Sequence, residues 1–186
     1  MAGKIIVVSD THVRHKNIVR GISAWDRGYR DFDTQDEHDF AVIDAINEKA
    51  DENDTLLHCG DWVFGDKKIN LEWFLSKLRV KNIITCVGNH DKEDVLFSAF
   101  GRDNVHQIYN FKYKGKSIVA SHYYIPHWKD RDHGTLHIWG HLHSNPRLMH
   151  GRSMDVGLDG NNMQVYDLDE IIDILMAQPI GEGRHQ

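Results

Sequence analysis

Cysteine is scarce in this sequence, with two among 186 residues, Cys59 and Cys86. Each stands near the end of an apolar run, the usual place of a small buried thiol, so a disulfide framework is excluded. Long hydrophobic runs are missing too. No stretch approaches the roughly 18 apolar residues that a membrane span requires, and Met1-Ala2-Gly3-Lys4 leads into a first strand without the layout of a signal peptide. The expectation is a cytoplasmic chain with no membrane association. A basic excess is absent as well: 22 Lys and Arg face 28 Asp and Glu, a formal net charge of -6. Stable binding to long nucleic acid is thereby disfavoured, because such binding is largely phosphate neutralisation. A small phosphorylated ligand remains open, since metal ions in a site would be its largest local charges. Repeats, low-complexity tracts and linkers are lacking. The length and 40% hydrophobic content fit one domain, 1–178, with a frayed tail at 179–186.

What the chain has in plenty is histidine, 14 in all and unevenly placed. Their positions follow the apolar runs. Ile83-Ile84-Thr85-Cys86-Val87 reads as a buried strand and runs directly into Gly88-Asn89-His90-Asp91, with Gly88 read as a sharp turn. The same design opens the chain, where residues 4–9 deliver Asp10-Thr11-His12. It recurs at 55–59, which end in Gly60-Asp61-Trp62. Between these strands, Thr34 and Glu37 have capping-box spacing ahead of a helix with Phe40, Ile43 and Ile46 on one face. Leu71, Phe74, Leu75 and Leu78 mark a second helix, and 92–100 a third. Strands alternating with helices indicate a layered α/β domain with a parallel core.

After Gly101 the pattern becomes β-rich. Residues 105–113 and 117–121 flank Lys114-Gly115-Lys116 as a hairpin, and strands at 135–139, 153–156 and 163–166 precede a helix at 170–176. Two of these runs again end in ligand residues, His122 and then Gly140-His141-Leu142-His143. Five strand ends thus supply Asp10, His12, Asp61, Asn89, His122, His141 and His143, all oxygen or imidazole donors. That mixture suits Mn, Fe, Zn or Mg, and seven ligands are more than one ion ordinarily takes. Two divalent ions sharing a bridge is the economical solution.

The ordered series Asp10-x-His12, Gly60-Asp61, Gly88-Asn89-His90-Asp91, His122 and Gly140-His141-Leu142-His143 resembles the calcineurin-like metallophosphoesterase superfamily, in its short single-domain bacterial and phage form. The resemblance implies a four-layer α/β/β/α sandwich of two mixed sheets with a dinuclear site at the strand ends. By matching motif it implies that Asp10, His12 and His143 hold one ion, that Asn89, His122 and His141 hold the other, and that Asp61 bridges them. His90 would face the phosphate, as a charge stabiliser or a proton donor to the leaving oxygen, with Asp91 as its orienting partner. The activity implied is phosphoester hydrolysis, with manganese the leading metal.

A lone His or Asp is more often a satisfied buried group or a solvated one, and that reading is kept for several positions. His58, His106 and His137 are read as strand histidines bonded to nearby backbone, and His38, His150 and His185 as surface or tail residues. Substrate contacts are expected from Arg14 in the loop after His12, from Trp62 in the aromatic run Trp62-Val63-Phe64, and from Trp128 in the ring-rich loop 123–134. Trp25 and Arg27 are left unassigned. With no evident cationic cluster to clamp a dianion, a small or nucleotide-like phosphodiester is favoured over a monoester. A nuclease and a non-catalytic scaffold, like the retromer subunit that resembles this family, are the competing readings.

Overall fold

The computed structural model describes residues 3–24, 29–143 and 148–180. Trp25, Arg27, His185 and the end of the tail lie outside the described residues. Among the described residues, ten strands form two five-stranded mixed sheets. In the first, β1 (Ile5–Val8), β2 (Thr55–His58), β3 (Asn82–Cys86) and β4 (Val105–His106) run parallel. The second contains β5 (Ile108–Tyr113), β6 (Lys116–Ser121), β7 (Leu136–Trp139), β8 (Leu148–Met149) and β9 (Ser153–Asp155), in the order β5-β6-β7-β9-β8. A last strand, β10 (Tyr166–Asp167), returns to pair antiparallel with β1. With helices α1 (Gln35–Lys49), α2 (Lys67–Lys77), α3 (Glu93–Phe100) and α4 (Leu168–Met176), the two sheets make an α/β/β/α sandwich.

Two apolar cores follow from strand alternation. Ile6, Val8 and Leu56 point to one face of the first sheet, where α1, α2 and α3 add Val42, Ile46, Leu71, Phe74 and Leu96. Their neighbours Val7 and Leu57 point the other way, against Ile118, Ala120, Leu136, Ile138 and Met154 of the second sheet, with Ile171 and Leu175 of α4. The far face of the second sheet is a polar row, Ser121, His137 and Ser153, joined by hydrogen bonds of 2.9 and 3.1 Å through the His137 ring and covered by Trp128 and Tyr124.

Local expectations fare unevenly. The Thr34 and Glu37 capping box is formed, but the buried face of α1 is Val42, Ile43 and Ile46, whereas Phe40 is 46% exposed against the edge of Trp73. Toward the N-terminus of α1 the buried positions are polar, His38 and Asp39, because that turn meets Arg14 and Arg30. The run 105–113 is two strands, which leave one sheet and enter the other around Gln107. The hairpin holds, with Lys114 and Gly115 both at positive φ, 45° and 77°, as a tight two-residue connection requires.

Candidate metal centre

The parallel strands β1, β2, β3, β6 and β7 all discharge at one edge of the sandwich. There the backbone leaves β geometry abruptly: Asp10, His12, Asp61, His141 and His143 all have positive φ, between 47° and 82°. Non-glycine residues held in this region are strained and persist only where the surroundings over-determine them. Here Arg30 does part of that, since its guanidinium donates to the carbonyls of Asp10 and Thr11 at 2.5 and 2.9 Å.

Two sets of ligand atoms result. In the first, His12 Nε2 lies 3.7 Å from Asp10 Oδ1, 3.6 Å from Asp61 Oδ2 and 3.2 Å from His143 Nε2, and one ligand atom from each of the four residues falls within 4.8 Å of the others. In the second, Asn89 Oδ1 is 3.0 Å from both His122 Nε2 and His141 Nδ1. The sets meet at one atom. Asp61 Oδ2, already in the first, is 3.5 Å from His122 Nε2.

The chemistry of this arrangement calls for cations. Asp10 Oδ1 and Asp61 Oδ2 are buried without a hydrogen-bond partner, a costly state for a carboxylate that nothing positive faces. His122 Nδ1 sits 2.9 Å from the Cys59 carbonyl, which can only accept, so Nδ1 carries a proton and Nε2 is the atom that faces Asn89 Oδ1 and Asp61 Oδ2. His143 is fixed likewise, its Nδ1 donating to Asp159 Oδ2 at 2.6 Å. Burial pushes Asp61 above its ordinary value and pulls His12 down to about 3, so the imidazole is neutral and free to ligate. Burial also acts on Asp10, but His12, His143 and His122 outweigh it and hold that carboxylate below the usual range. The cluster is thus compatible with one or two divalent metal ions.

The loop at the end of β3 locks into the one after β2. Asp91 accepts from the amides of Asp61, Trp62 and Gly88 at 2.8, 3.0 and 2.9 Å, and the His90 amide donates to Asp61 Oδ1 at 2.8 Å. Gly88 serves by close approach, not by a turn. Its φ is not positive, and a Cβ there would collide with the Asp61 carboxylate and amide.

Four sequence expectations are corrected by this geometry. Asp91 spends its carboxylate on three backbone amides, and its place beside the His90 imidazole is taken by rings, His12 and Phe64 each at 5.6 Å and His15 at 6.5 Å. Trp62 is fully buried, stacked on His58 at 3.8 Å and donating to Thr85 Oγ1, so it offers no face to a substrate. Trp128 is 5% exposed, with its indole N–H on the Thr135 carbonyl, and covers the second sheet instead. Arg14 is turned away: it pairs with Asp36 at 2.7 Å and Asp39 at 3.3 Å and lies over Trp73 at 4.0 Å. Among the histidines read as surface or tail residues, His38 is a correction too, being fully buried between Asp39 and Arg30, while His150 is exposed. His137 bonds to serine hydroxyls and not to backbone, and His58 to both, the Thr11 hydroxyl and the Gly60 amide.

Arg30, Asp159 and Asp155 carry weight that the sequence did not advertise. Arg30 forks onto Asp159 at 2.8 and 2.9 Å, and Asp159 in turn orients His143. Asp155, with Oδ2 unpaired, is pushed by burial up to about 7. None follows an apolar run closely enough to share the strand-end pattern, although the acid in Asp159-Gly160 stands in a short turn that could have prompted a search.

A fold of two mixed sheets with this donor set at its strand ends defines a metal-dependent hydrolase. Residues 3–180 match the family model described as calcineurin-like phosphoesterase, and the chain belongs to that family. No curated protein sequence matches it significantly. Among solved structures, the protein of unknown function AQ665 from Aquifex aeolicus is similar over 92% of this chain and 99% of its own, with 21% identity and a TM-score of 0.65, which shows a shared fold. YfcE, a phosphoesterase from E. coli, is similar over 83% of this chain and 78% of its own, at 12% identity and a TM-score of 0.48. A novel archaeal phosphodiesterase is similar over 88% and 98%, at 18% identity and 0.47. No helix among the described residues is long and apolar enough to cross a membrane.

Proposed function

We propose that this chain is a dinuclear phosphodiesterase acting on a small, nucleotide-like diester. Asp10, His12 and His143 hold one cation, Asn89, His122 and His141 the other, and Asp61 bridges them. The observation that carries the reading is the shared atom, Asp61 Oδ2, within 3.6 Å of His12 Nε2 and 3.5 Å of His122 Nε2 and without a partner of its own. When bound, two divalent ions supply charge neutralisation at the ester and a more acidic water as nucleophile. The all-oxygen-and-imidazole donor set favours manganese, with iron, zinc or magnesium as substitutes.

The protein's own groups do the rest. His90, exposed at the mouth, donates a proton to the leaving oxygen or balances charge on the phosphate. A diester carries one negative charge, and three cations near the centre are committed elsewhere: Arg14 to Asp36 and Asp39, Arg30 to Asp159, and Lys67 to the Val63 carbonyl. That leaves no side-chain clamp for the second charge of a monoester among these residues. Metal content after gel filtration, with kcat/KM on matched aryl mono- and diesters under manganese, tests the proposal. Two ions per chain and a diester preference are expected, and Asp61→Asn should lose both ions. Full occupancy in Asp61→Asn removes the bridge, and a monoester preference removes the diester reading.

A further inference from the structure

Eight large hydrophobic side chains are exposed among the described residues, and three of them, Tyr29, Tyr123 and Leu142, border the metal centre. Exposed apolar surface gathered round a polar, anion-attracting site is informative in a way that scattered exposure is not. Tyr123 is 49% exposed, and its ring packs edge-on to His141 at 4.7 Å and His122 at 5.0 Å, both in the second ligand set. Phe64 is half-buried beside His90, its ring 5.6 Å from that imidazole and 3.9 Å from His15, with Lys67 Nζ 4.7 Å from its centroid. Both are anchored through backbone. The Tyr123 carbonyl accepts from Ser121 Oγ at 2.7 Å, while the Phe64 amide donates to Val13 O at 2.8 Å and its carbonyl accepts from Asn70 Nδ2 at 2.6 Å. Rings fixed this way are pre-organised surfaces for a flat group.

We propose that Phe64 and Tyr123 are the two specificity-determining rings of the site, and that its substrate is a monoanionic phosphodiester bearing a planar ring on each ester group. This rests on the phosphodiesterase reading above. Phe64 adjoins His90, so the ring of the leaving group rests there as its oxygen takes the proton. Tyr123 adjoins His122 and His141, on the side of the ester group that stays with phosphorus. The two aromatic positions the sequence suggested, Trp62 and Trp128, are buried, and the half-buried Phe64 and the exposed Tyr123 take their place. Ring-on-ring contact is worth enough per group to separate aryl from alkyl substituents by about tenfold or more.

Inert phosphinates test this without turnover. Diphenylphosphinate and dimethylphosphinate each carry one negative charge and have phosphorus–carbon bonds in place of both ester bonds, and they differ in the rings. Calorimetric titration of both into the manganese-loaded protein should give diphenylphosphinate an advantage of about tenfold, and Tyr123→Ala and Phe64→Leu should each cut that advantage by about threefold or more. Equal affinities in the wild type, or an advantage that survives in either variant, overturn the two-ring assignment. In those cases binding of dimethylphosphinate keeps the phosphodiesterase reading intact, whereas failure of both probes to bind a two-ion protein overturns that reading and this inference together. The same variants on bis-aryl and methyl aryl diesters should show the ratio of kcat/KM between the two substrates falling in parallel, and an unmoved ratio counts against the assignment.

Discussion

Asp159 Oδ2 lies 2.6 Å from His143 Nδ1, and the other oxygen of the same carboxylate is 2.8 Å from Nε of Arg30. One acid therefore orients a ligand and neutralises a guanidinium that is itself 3% exposed. The electrostatics are mutual. Burial opposes both charges, yet Arg30 holds Asp159 well below the usual carboxylate range, and Asp159 keeps Arg30 charged. Because Arg30 also donates to the carbonyls of Asp10 and Thr11, this pair ties the strained turn after β1 to the histidine that shares its ligand set.

Asp159→Asn tests that link. It preserves shape but leaves Arg30 as a buried charge without a counter-ion, which should destabilise the metal-free protein by roughly 3–5 kcal/mol. Freed from its carboxylate, His143 should also bind metal roughly 10–100-fold more weakly. Urea unfolding in chelator measures the first effect and a metal titration the second. An unchanged unfolding midpoint would mean that Arg30 is neutralised from elsewhere.

His90 and Asp91 are neighbours with separable tasks, which substitution should reveal. His90→Ala should retain two ions and lower kcat by roughly 10²–10⁴-fold, less for a substrate with a good leaving group. Asp91→Ala removes the acceptor of three amides and should instead cost roughly 1.5–3 kcal/mol of stability and loosen metal binding through Asp61. Its leaving-group dependence should match that of the wild type. If Asp91→Ala reproduced the leaving-group profile of His90→Ala with stability intact, the carboxylate would be acting through the imidazole after all.

What could be read from the sequence divides along a physical line. A buried parallel strand is largely apolar and ends where polar groups begin, so Asp10, Asp61, Asn89, His122 and His141 stand out as ligand candidates by following apolar runs. The layered α/β core follows from that grammar, whereas the four-layer sandwich and the grouping of the ligands are what the family resemblance implies. Contacts across the fold have no such marker. Arg30 and Asp159 are separated by 129 residues and meet only because β10 returns to β1 and brings its preceding turn beside the first loop. Aromatic residues misled for a related reason. Trp62 and Trp128 sit close to ligands in the chain, but alternation turns Trp62 onto His58 and Thr85, and the loop folds Trp128 over His137, so chain proximity says nothing of which ring is exposed. Asp91 adjoins His90 in sequence and bonds instead to a different strand's loop.

His137 lends itself to a pH experiment because it is remote from the ligand atoms and lacks charged neighbours. Its ring is fully buried, lies between Ser121 Oγ and Ser153 Oγ, and is covered by Trp128 at 5.0 Å and Tyr124 at 6.0 Å. Burial alone pulls its pKa down to about 3, against about 6.5 for a free histidine. The folded state thus refuses a proton that the unfolded state takes. Stability from this residue is fully present above about pH 6.5 and is lost progressively as the pH falls toward 3, at roughly 1.4 kcal/mol per pH unit for one proton. His58, pulled by burial to about 3 as well, adds a slope of the same sign. His137→Gln can still bridge the two hydroxyls but loses the ring packed under Trp128 and Tyr124, so it should be less stable than the wild type at neutral pH, and because it cannot titrate its curve should be flatter by that amount per unit between about pH 6 and pH 4. Urea unfolding of both proteins across that window, in chelator, measures the difference in slope. Parallel curves would show that His137 is protonated in the folded state, and that burial does not govern it.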